Sequence, residues 1–362
     1  MIDTKHFYDI LFENGIDCFC GVPDSLLKNF CAYVTDHSKN HTICANEGNA
    51  VALACGHYLA TKRPALVYMQ NSGLGNCVNP ILSLLDEDVY KIPALFLIGW
   101  RGEPNTKDEP QHIKQGKLTL ALLETMGIKY SVLDENYENQ LKEAFSYMEK
   151  ESKPFALVVR KNSFDKYNLI NKRTNNFEMR REEAIKTILD VIPKDSVIVS
   201  TTGFTSRELY EARKEHSHDF LTVGSMGHAS SIALGIALEK PEKDIYCFDG
   251  DGALLMHYGA VPVIKSKNLK NFKHIVFNNY AHDSVGAQPT VSGMVDFKNL
   301  YDITFEAKNK EELERILPKF ADLKETALLE IKVNCGARED LGRPKESPKE
   351  NKIAFMEMLN GW

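Results

Sequence analysis

Two segments in the second half of the chain carry the oxygen-bearing side chains of a metal site. The segment IYCFDGDGALL (245–255) runs an apolar strand into Asp251 between two glycines, and HIVFNNYAH (274–282) ends a later strand in Asn278 and Asn279. Carboxylate, amide and carbonyl oxygens are the hard ligands that Mg²⁺ takes, with phosphate oxygens and water completing the octahedron. If the two segments meet, these residue types predict a divalent cation that bridges a diphosphate.

The two segments are expected to meet because each follows a strand of one parallel sheet. Ligands of such sheets bind beyond the carboxyl ends of the strands, and residues 253–277 provide the helix and return strand of a βαβ unit. Gly250 and Gly252 would permit backbone angles and a close approach that a Cβ forbids. A helix starting at Ala253 would direct free N–H groups toward an anion. A GDG turn or an NN strand end is common in proteins when it occurs alone. The two together at this spacing favour a binding site for a metal-bridged diphosphate.

Short apolar strands alternate with helical patterns along the chain, which predicts the α/β class with two doubly wound parallel-sheet domains. Pro262 lies inside one predicted helix and should kink or shorten it. The predicted strands are Ile16–Cys20, Thr42–Ala45, Ala65–Met69, Ala94–Gly99, Lys129–Leu133, Phe155–Val159, Val197–Ser200, Phe220–Val223, Ile245–Phe248, His274–Asn278 and Leu328–Val333. The predicted helices are Asn49–Ala60, Leu118–Met126, Asn139–Glu149, Glu182–Val191, His228–Glu239, Ala253–Ser266 and Lys310–Phe320.

A polar, Asn- and Lys-rich segment at 161–181 interrupts this alternation. Stretches of this composition are typical of linkers between domains. We therefore expect one domain over residues 1–165, a linker over 166–181 and a second domain over 182–362.

Composition excludes several classes of protein. The net charge of −6 over 362 residues argues against broad nucleic-acid binding, and no apolar run reaches the roughly 18 residues of a membrane span. The start of the sequence lacks the basic region and cleavage site of a signal peptide. We expect a cytoplasmic protein whose eight cysteines are buried and reduced, so that Cys18 and Cys20 do not form a metal hook.

The GDG and NN segments at this spacing resemble the signature of thiamine diphosphate-dependent enzymes. The resemblance to decarboxylases of this family covers nearly the whole chain, with a pyrimidine-binding domain followed by a diphosphate-binding domain. It implies thiamine diphosphate and Mg²⁺ as cofactors, and a homo-oligomer of at least two chains with active sites between them. The matching segments are GVPDSLL (21–27), ANEGNAVALACG (45–56), GWRGEPNTKDEPQH (99–112), TTGFTSREL (201–209), GSMGHASSIALG (224–235) and SVGAQPT (284–290).

The resemblance assigns a proton-transfer role to Glu47. On residue type alone, a glutamate that begins a helix after Asn46 is typical of an acidic residue that the helix dipole stabilises, with Asn46 as the cap. The resemblance implies that Glu47 bonds N1′ of the cofactor pyrimidine and promotes its imino tautomer, which requires a desolvated carboxyl with a raised pKa.

The resemblance also implies the residues that hold the cofactor. Met226 would wedge between the two thiamine rings and bend the molecule. Asp251, Asn279 and the carbonyl of Ala281 would bind Mg²⁺. The other residues expected around the cofactor are Thr202, Gly203, Gly224, Ser225, Gly227, His228, Gly250, Gly252, Ala253 and His282.

The segment GWRGEPNTKDEPQH follows a predicted strand and is the expected substrate segment. Arg101 and Lys107 could pair with a phosphonate or sulfonate, Arg101 in a bidentate manner, although each alone is equally typical of a solvated surface. Asp24 and Ser25 would line the same pocket, and His112 and His282 would transfer protons.

The resemblance implies decarboxylation of 3-phosphonopyruvate to phosphonoacetaldehyde and CO₂. Decarboxylation of sulfopyruvate, and a non-catalytic thiamine- or nucleotide-binding module, stay open as alternatives. The chain contains no GxxxxGK[ST] loop, and SGLG at 72–75 is too short for a dinucleotide fingerprint. Tyr280, Asp283 and Ala287 depart from the small residue, glutamate and glycine of the family pattern, and the shorter Asp283 argues against proton transfer there.

Overall fold

The computed structural model describes residues 1–171 and 175–361 of the chain. It divides into two compact units, Met1–Lys172 and Arg173–Trp362. The linker predicted at 166–181 includes residues 172–174, which lie outside the described residues. Over the part of the chain that the structure describes, no helix has the length and apolar character needed to cross a membrane.

The first unit is a six-stranded parallel sheet with helices on both faces. Its strand order is β2-β1-β3-β4-β6-β5. Val67 and Met69 belong to one apolar core and Leu66 and Tyr68 to the other, so both faces of the sheet are buried. Its strands are β1 (Phe19–Gly21), β2 (His41–Ile43), β3 (Leu66–Gln70), β4 (Leu95–Gly99), β5 (Lys129–Val132) and β6 (Phe155–Val159). Its helices are α1 (Thr4–Glu13), α2 (Lys28–His37), α3 (Glu47–Thr61), α4 (Leu74–Pro80), α5 (Pro110–Thr125) and α6 (Tyr137–Glu151).

The second unit is also built on a six-stranded parallel sheet, in the order β13-β14-β10-β9-β7-β8, with a small antiparallel pair, β11 and β12, beside it. Its strands are β7 (Val197–Ser200), β8 (Asp219–Leu221), β9 (Ile245–Gly250), β10 (Phe272–Asn278), β11 (Ala281–His282), β12 (Gln288–Pro289), β13 (Thr304–Ala307) and β14 (Ala327–Lys332). Its helices are α7 (Arg181–Val191), α8 (Phe204–Ala212), α9 (Ala229–Glu239), α10 (Asp251–Met256), α11 (Ala260–Lys265), α12 (Lys310–Asp322) and α13 (Pro348–Asn360).

The predicted α/β class with two doubly wound parallel sheets is confirmed, and every predicted strand has a counterpart. The edge strand β13 was missed because three of its four residues are only half-buried and show no apolar run. Helix α5 begins at Pro110 rather than Leu118, since proline is well tolerated at the first position of a helix. Five helices were not predicted: α1, α2, α4, α8 and α13.

The helix predicted at Ala253–Ser266 is wrong in its length and its start. Two six-residue helices, α10 and α11, replace it, and Pro262 lies in the first turn of α11, where a missing N–H does least harm. Helix α10 starts at Asp251 rather than at Ala253. So short a helix has few aligned peptide dipoles. The expectation of an anion site at its N-terminus therefore loses its main support.

Candidate functional site

The GDG and NN segments lie at one edge of the second sheet. Strands β9 and β10 are parallel neighbours with Phe277 opposite Gly250. Asp251 and Asn278, the next residue along each segment, therefore lie side by side at the carboxyl ends of the two strands. The hydroxyl of Ser292 lies between them: its Oγ is 2.7 Å from Asp251 Oδ2 and 3.0 Å from Asn278 Oδ1, and its single hydrogen can be donated to either oxygen. The convergence expected from the parallel arrangement is present.

Asp251 is held through one carboxylate oxygen, and Asn279 through both polar atoms of its amide. Asp251 Oδ2 accepts hydrogen bonds from Thr290 Oγ1 at 2.5 Å and from Ser292 Oγ. Asn279 donates its Nδ2 hydrogen to Asp283 Oδ2 at 2.7 Å, and its Oδ1 accepts from the backbone N–H of Ala281 at 3.0 Å. These bonds restrain both side chains in the sequence-predicted metal segment.

The donor set at this edge fits a hard divalent cation. A carboxylate of Asp251, the amide oxygen of Asn279 and the carbonyl of Ala281 are all oxygen ligands. Ala281 pairs with Pro289 across the β11–β12 ladder, and proline has no N–H to donate to that carbonyl. The arrangement therefore offers the oxygen types that the sequence analysis named.

Electrostatics at this edge also favours a cation. Burial raises the pKa of Asp251 to about 6, against the hydroxyl donors Thr290 and Ser292, and the nearby charge of Asp283 adds to the increase. Such a shift shows that the ionised carboxylate lacks a compensating positive charge. A bound cation would supply that charge.

Gly252 is the glycine that the close packing of this site requires. A Cβ there would lie 2.8 Å from Cε1 of His282 and 3.4 Å from Cε of Met226. At Gly250, by contrast, a Cβ would meet no atom within 4 Å, and φ is −107°. The expected close approach is confirmed for Gly252, whereas the expectation of unusual backbone angles at the two glycines is wrong.

The other expected cofactor residues of this unit form neighbouring turns. Thr202 Oγ1 accepts from the N–H of Gly224 at 3.1 Å, which joins the TTG and GSMG segments. His228 lies against His257, with ring centroids 4.1 Å apart. Positive φ angles occur at Gly203, Gly224, Ser225 and Gly227. A Cβ on Gly227 would lie 2.9 Å from the carbonyl oxygen of Ala253, so this turn packs on α10.

A second polar cluster lies beneath the GDG segment. Ligand atoms of Cys247, Asp249 and His274 lie within 4.8 Å of one another, and all three residues are fully buried. His274 contacts Asp249 Oδ2 through Nε2 at 3.3 Å and the Tyr301 hydroxyl through Nδ1 at 3.0 Å. Asp249 Oδ1 accepts from the N–H of Gly250. With both imidazole nitrogens engaged, this cluster is a hydrogen-bond network that supports the loop.

Glu47 occupies a desolvated position at the start of α3 in the first unit. It is 5% exposed, and Asn46 caps the helix by accepting from the N–H of Gly48 at 2.8 Å. Burial raises the pKa of Glu47, and a hydrogen bond from Asn76 opposes the increase. The burial and raised pKa are the properties that proton transfer demands.

Two residues that the sequence analysis did not assign hold the Glu47 side chain. Asn76 donates from Nδ2 to Glu47 Oε2 at 2.7 Å. A Cβ on Gly73 would lie only 2.6 Å from Glu47 Oε1, so this glycine permits the carboxyl to lie against the backbone. The SGLG segment thus packs against Glu47; no signal in the sequence pointed to this contact.

The guanidinium of Arg101 is already engaged in a bidentate pair. Its Nε and one terminal nitrogen donate to the two carboxylate oxygens of Asp108 at 2.8 and 2.5 Å, and its other terminal nitrogen donates to Ser25 Oγ at 3.0 Å. That face of the guanidinium meets Asp108, and the expected bidentate contact of Arg101 with substrate stays a prediction. Asp24 is fully buried and bonded by Gln70 at 2.7 Å.

The remaining substrate candidates differ in how exposed they are. His112 lies on α5 and is 8% exposed. Burial and, second, the charge of Arg101 lower its pKa to about 4, so its ring is neutral near pH 7. Burial likewise lowers the pKa of His282 to about 4. Lys107 is exposed and forms no ion pair with any residue that the structure describes.

Comparisons with known proteins identify both halves of the chain. Residues 4–122 match the model of the N-terminal TPP binding domain of thiamine pyrophosphate enzymes, and residues 200–331 match that of the C-terminal TPP binding domain. A phosphonopyruvate decarboxylase from Streptomyces viridochromogenes is 30% identical, with 93% of this chain and 89% of the relative covered. One from Streptomyces hygroscopicus is also 30% identical, with 99% and 94% covered. A sulfopyruvate decarboxylase from Methanosarcina acetivorans is 29% identical, with 97% and 96% covered.

Proposed function

This chain belongs to the thiamine pyrophosphate enzyme family, and we propose that it decarboxylates 3-phosphonopyruvate to phosphonoacetaldehyde and CO₂. The observation that carries the proposal is the 30% identity to two phosphonopyruvate decarboxylases over almost the full length of each chain. When bound, thiamine diphosphate supplies the electron sink for the pair of electrons left behind by CO₂. The chain's own residues must hold that cofactor, move protons and bind an anionic substrate.

The second unit is assigned the task of holding the cofactor through Mg²⁺. Asp251, Asn279 and the Ala281 carbonyl are the proposed ligands, supported by their shared edge and by the raised pKa of Asp251. Met226 is assigned the apolar contact with the thiamine rings, and its methyl lies beside Gly252. The turns that contain Thr202, Gly203 and residues 224–228 are the proposed surface for the pyrimidine.

The first unit is assigned the proton chemistry. Glu47 would take up or release a proton at Oε1 beside the pyrimidine of a bound cofactor, while Asn76 holds Oε2. A carboxyl with a raised pKa exchanges protons near neutral pH more effectively than an ordinary one. The burial of Glu47 supports this assignment.

The phosphonate of the substrate is assigned to Lys107 and to neutral donors. Because Asp108 balances the charge of Arg101, Arg101 acts chiefly by holding Ser25 through its third nitrogen. Lys107 remains a cation with no ion-pair partner among the described residues. Neutral His112 and His282 can each donate one N–H or accept one proton, and Asp24 is the proposed neighbour of Ser25 in the lining of the substrate site.

We further assign the working form to a homo-oligomer of at least two chains, in the cytoplasm. Leu53 and Leu59 are 39% and 70% exposed on α3, the helix that Glu47 begins, and support a contact with a second copy. All eight cysteines are free, with Cys44 and Cys335 half-buried rather than buried, which suits a reducing compartment.

Incubation of the protein with phosphonopyruvate, thiamine diphosphate and Mg²⁺ tests the function. We expect phosphonoacetaldehyde, measured as NADH consumption in a coupled aldehyde reductase assay, with release of CO₂. The matched control is Glu47→Gln, which keeps the size of the side chain and removes the carboxyl. Absence of aldehyde from folded parent protein would reject the proposal.

Sulfopyruvate is the second candidate substrate, because the archaeal sulfopyruvate decarboxylase aligns over 97% of this chain. Phosphonate and sulfonate are both tetrahedral anions, so the same pocket could accept either. Comparison of kcat/KM on phosphonopyruvate, sulfopyruvate and pyruvate decides between them, and a higher value on sulfopyruvate would replace the proposed substrate. A non-catalytic binding module would bind thiamine diphosphate and turn over none of the three.

A further inference from the structure

We propose that Asp283, fixed by Arg181, is the positioning residue that turns the Asn279 amide oxygen toward the divalent cation and completes the charge of its site. The inference rests on the proposed magnesium site and adds to it two residues that lie outside the donor set. It assigns a function to Asp283, one of the departures from the family pattern.

The contacts of Asp283 determine which end of the Asn279 amide is available. Asp283 Oδ2 accepts the Nδ2 hydrogen of Asn279 at 2.7 Å. An asparagine amide has a donor end and an acceptor end that differ little in shape. A carboxylate that accepts from the donor end leaves the oxygen as the group offered to a cation. Without that acceptor, only the backbone N–H of Ala281, which donates to Asn279 Oδ1 at 3.0 Å, would keep the amide from turning its N–H groups toward a cation.

Arg181 keeps Asp283 in place from the other side. Its Nη1 donates to the same Asp283 Oδ2 at 3.2 Å, while its Nε and Nη2 donate to the two oxygens of Glu208 at 2.6 and 3.2 Å. The Arg181 and Asp283 side chains are each 7% exposed. A planar guanidinium fastened by a bidentate carboxylate has little freedom, so Asp283 has a rigid anchor.

The charges of this group match a divalent cation. Asp251, Asp283 and Glu208 can each carry a negative charge, and Arg181 carries one positive charge, which leaves two negative charges in a buried region. Buried charge without compensation is costly. One Mg²⁺ would offset this charge of the protein, apart from the charge of the diphosphate.

An unpaired atom supplies independent support. Asp283 Oδ1 is buried and has no hydrogen-bond partner among the described residues. Buried polar atoms in native proteins are nearly always paired, with protein or with ordered water. A water in the coordination shell of a cation is a strong donor of the kind that this oxygen requires. The same carboxylate would then orient Asn279 through Oδ2 and the hydrated cation through Oδ1.

Titration with Mn²⁺ in the presence of thiamine diphosphate, followed by electron paramagnetic resonance of the free ion, tests the inference. We expect Asp283→Asn to weaken Mn²⁺ binding by about 10- to 100-fold, as for other residues that orient metal ligands. The matched control is Asp302→Asn, an exposed aspartate of the same unit that pairs with Lys265, and its affinity should equal that of the parent. Mn²⁺ affinity of folded Asp283→Asn equal to the parent's would overturn the inference.

Two further measurements separate positioning from folding and from chemistry. Circular dichroism and thermal melting report whether Asp283→Asn is folded; if it is not, Asp283→Ser decides, since its short side chain withdraws the acceptor from Asn279. A loss of several-fold in affinity supports the inference, and an unchanged affinity overturns it. At saturating Mg²⁺, folded Asp283→Asn should recover most of the parent's kcat, and a kcat that stays low would overturn a purely positioning role. Mn²⁺ binding by a parent that makes no aldehyde would reject the proposed function alone.

Discussion

Glu47 in the first unit and Asp251 in the second occupy the same kind of position. Each is the first residue of a helix that follows a parallel strand, and each is almost fully buried, at 5% and 3% exposure. Burial raises the pKa of both carboxyls. Yet we assign proton transfer to one and metal binding to the other, so position in the fold does not decide the role.

Their neighbours account for the difference. Glu47 receives one amide hydrogen bond, from Asn76, and its pKa is raised by burial rather than by a second carboxylate. Asp251 receives two hydroxyl hydrogen bonds on one oxygen and lies near the charge of Asp283. A lone desolvated carboxyl attracts a proton, whereas a cluster of carboxylates with restrained oxygens favours a divalent cation.

Glu47→Gln should give the largest effect and should leave the second unit unchanged. Loss of the exchangeable proton is expected to lower kcat by about 100-fold or more, while Mn²⁺ affinity stays at the parent's value. Steady-state kinetics and Mn²⁺ titration on the same preparation measure the change in kcat and the Mn²⁺ affinity. A parallel fall in metal affinity would contradict the division of roles between Glu47 and Asp251.

Asn76→Ala should lower kcat/KM by roughly tenfold, because a hydrogen bond to a charged group contributes about 1.5–3 kcal/mol. Asn76→Asp should shift the pH profile upward, because a second carboxylate beside Glu47 raises its pKa further. The pH dependence of kcat/KM measures both. Asn79→Ala, an exposed change on the same helix α4, is the control. If Asn76→Asp leaves the profile in place, Asn76 does not act through Glu47.

Lys107→Gln should raise KM for phosphonopyruvate by about fivefold with little change in kcat, since an exposed ion pair contributes up to about 1 kcal/mol. The effect should shrink as salt concentration rises. KM measured at low and high salt tests this, with Lys117→Gln on α5 as the exposed control. Equal changes in the two variants would show general charge steering rather than a contact at Lys107.

His112→Gln should alter the pH dependence of stability, apart from any effect on turnover. The native pKa of about 4 lies below the value near 6.5 of an unfolded histidine, so the unfolded chain binds more protons between these limits. The free energy of unfolding of the parent should therefore fall as pH drops from about 6.5 to 4, and His112→Gln should remove that part of the fall. Urea unfolding at pH 7, 6 and 5 measures the difference; identical slopes for parent and variant would contradict it.

Local patterns were sufficient to predict the sheets and the main positions of the site. Apolar strands such as Phe155–Val159 were predicted with the correct ends. A strand buried on both faces is a continuous run of apolar residues, without the polar positions of an amphipathic helix. Half-exposed β13 and the polar first turns of α5 lack that run and were missed. The break between α10 and α11 was not predicted either, because Pro262 indicates that a helix is interrupted but not at which residue.

The sequence by itself determined which residues could do chemistry: Asp251 after a glycine, Asn279 after the next strand, and Glu47 at the start of a helix. Only the tertiary structure decided what each of them touches. Asn76 reaches Glu47 across 29 positions, Arg181 reaches Asp283 across 102, and Asp108 engages the arginine expected to bind substrate. Strand and helix periods arise from neighbours in the chain, whereas the pKa and orientation of a buried group arise from whatever the folded chain places beside it.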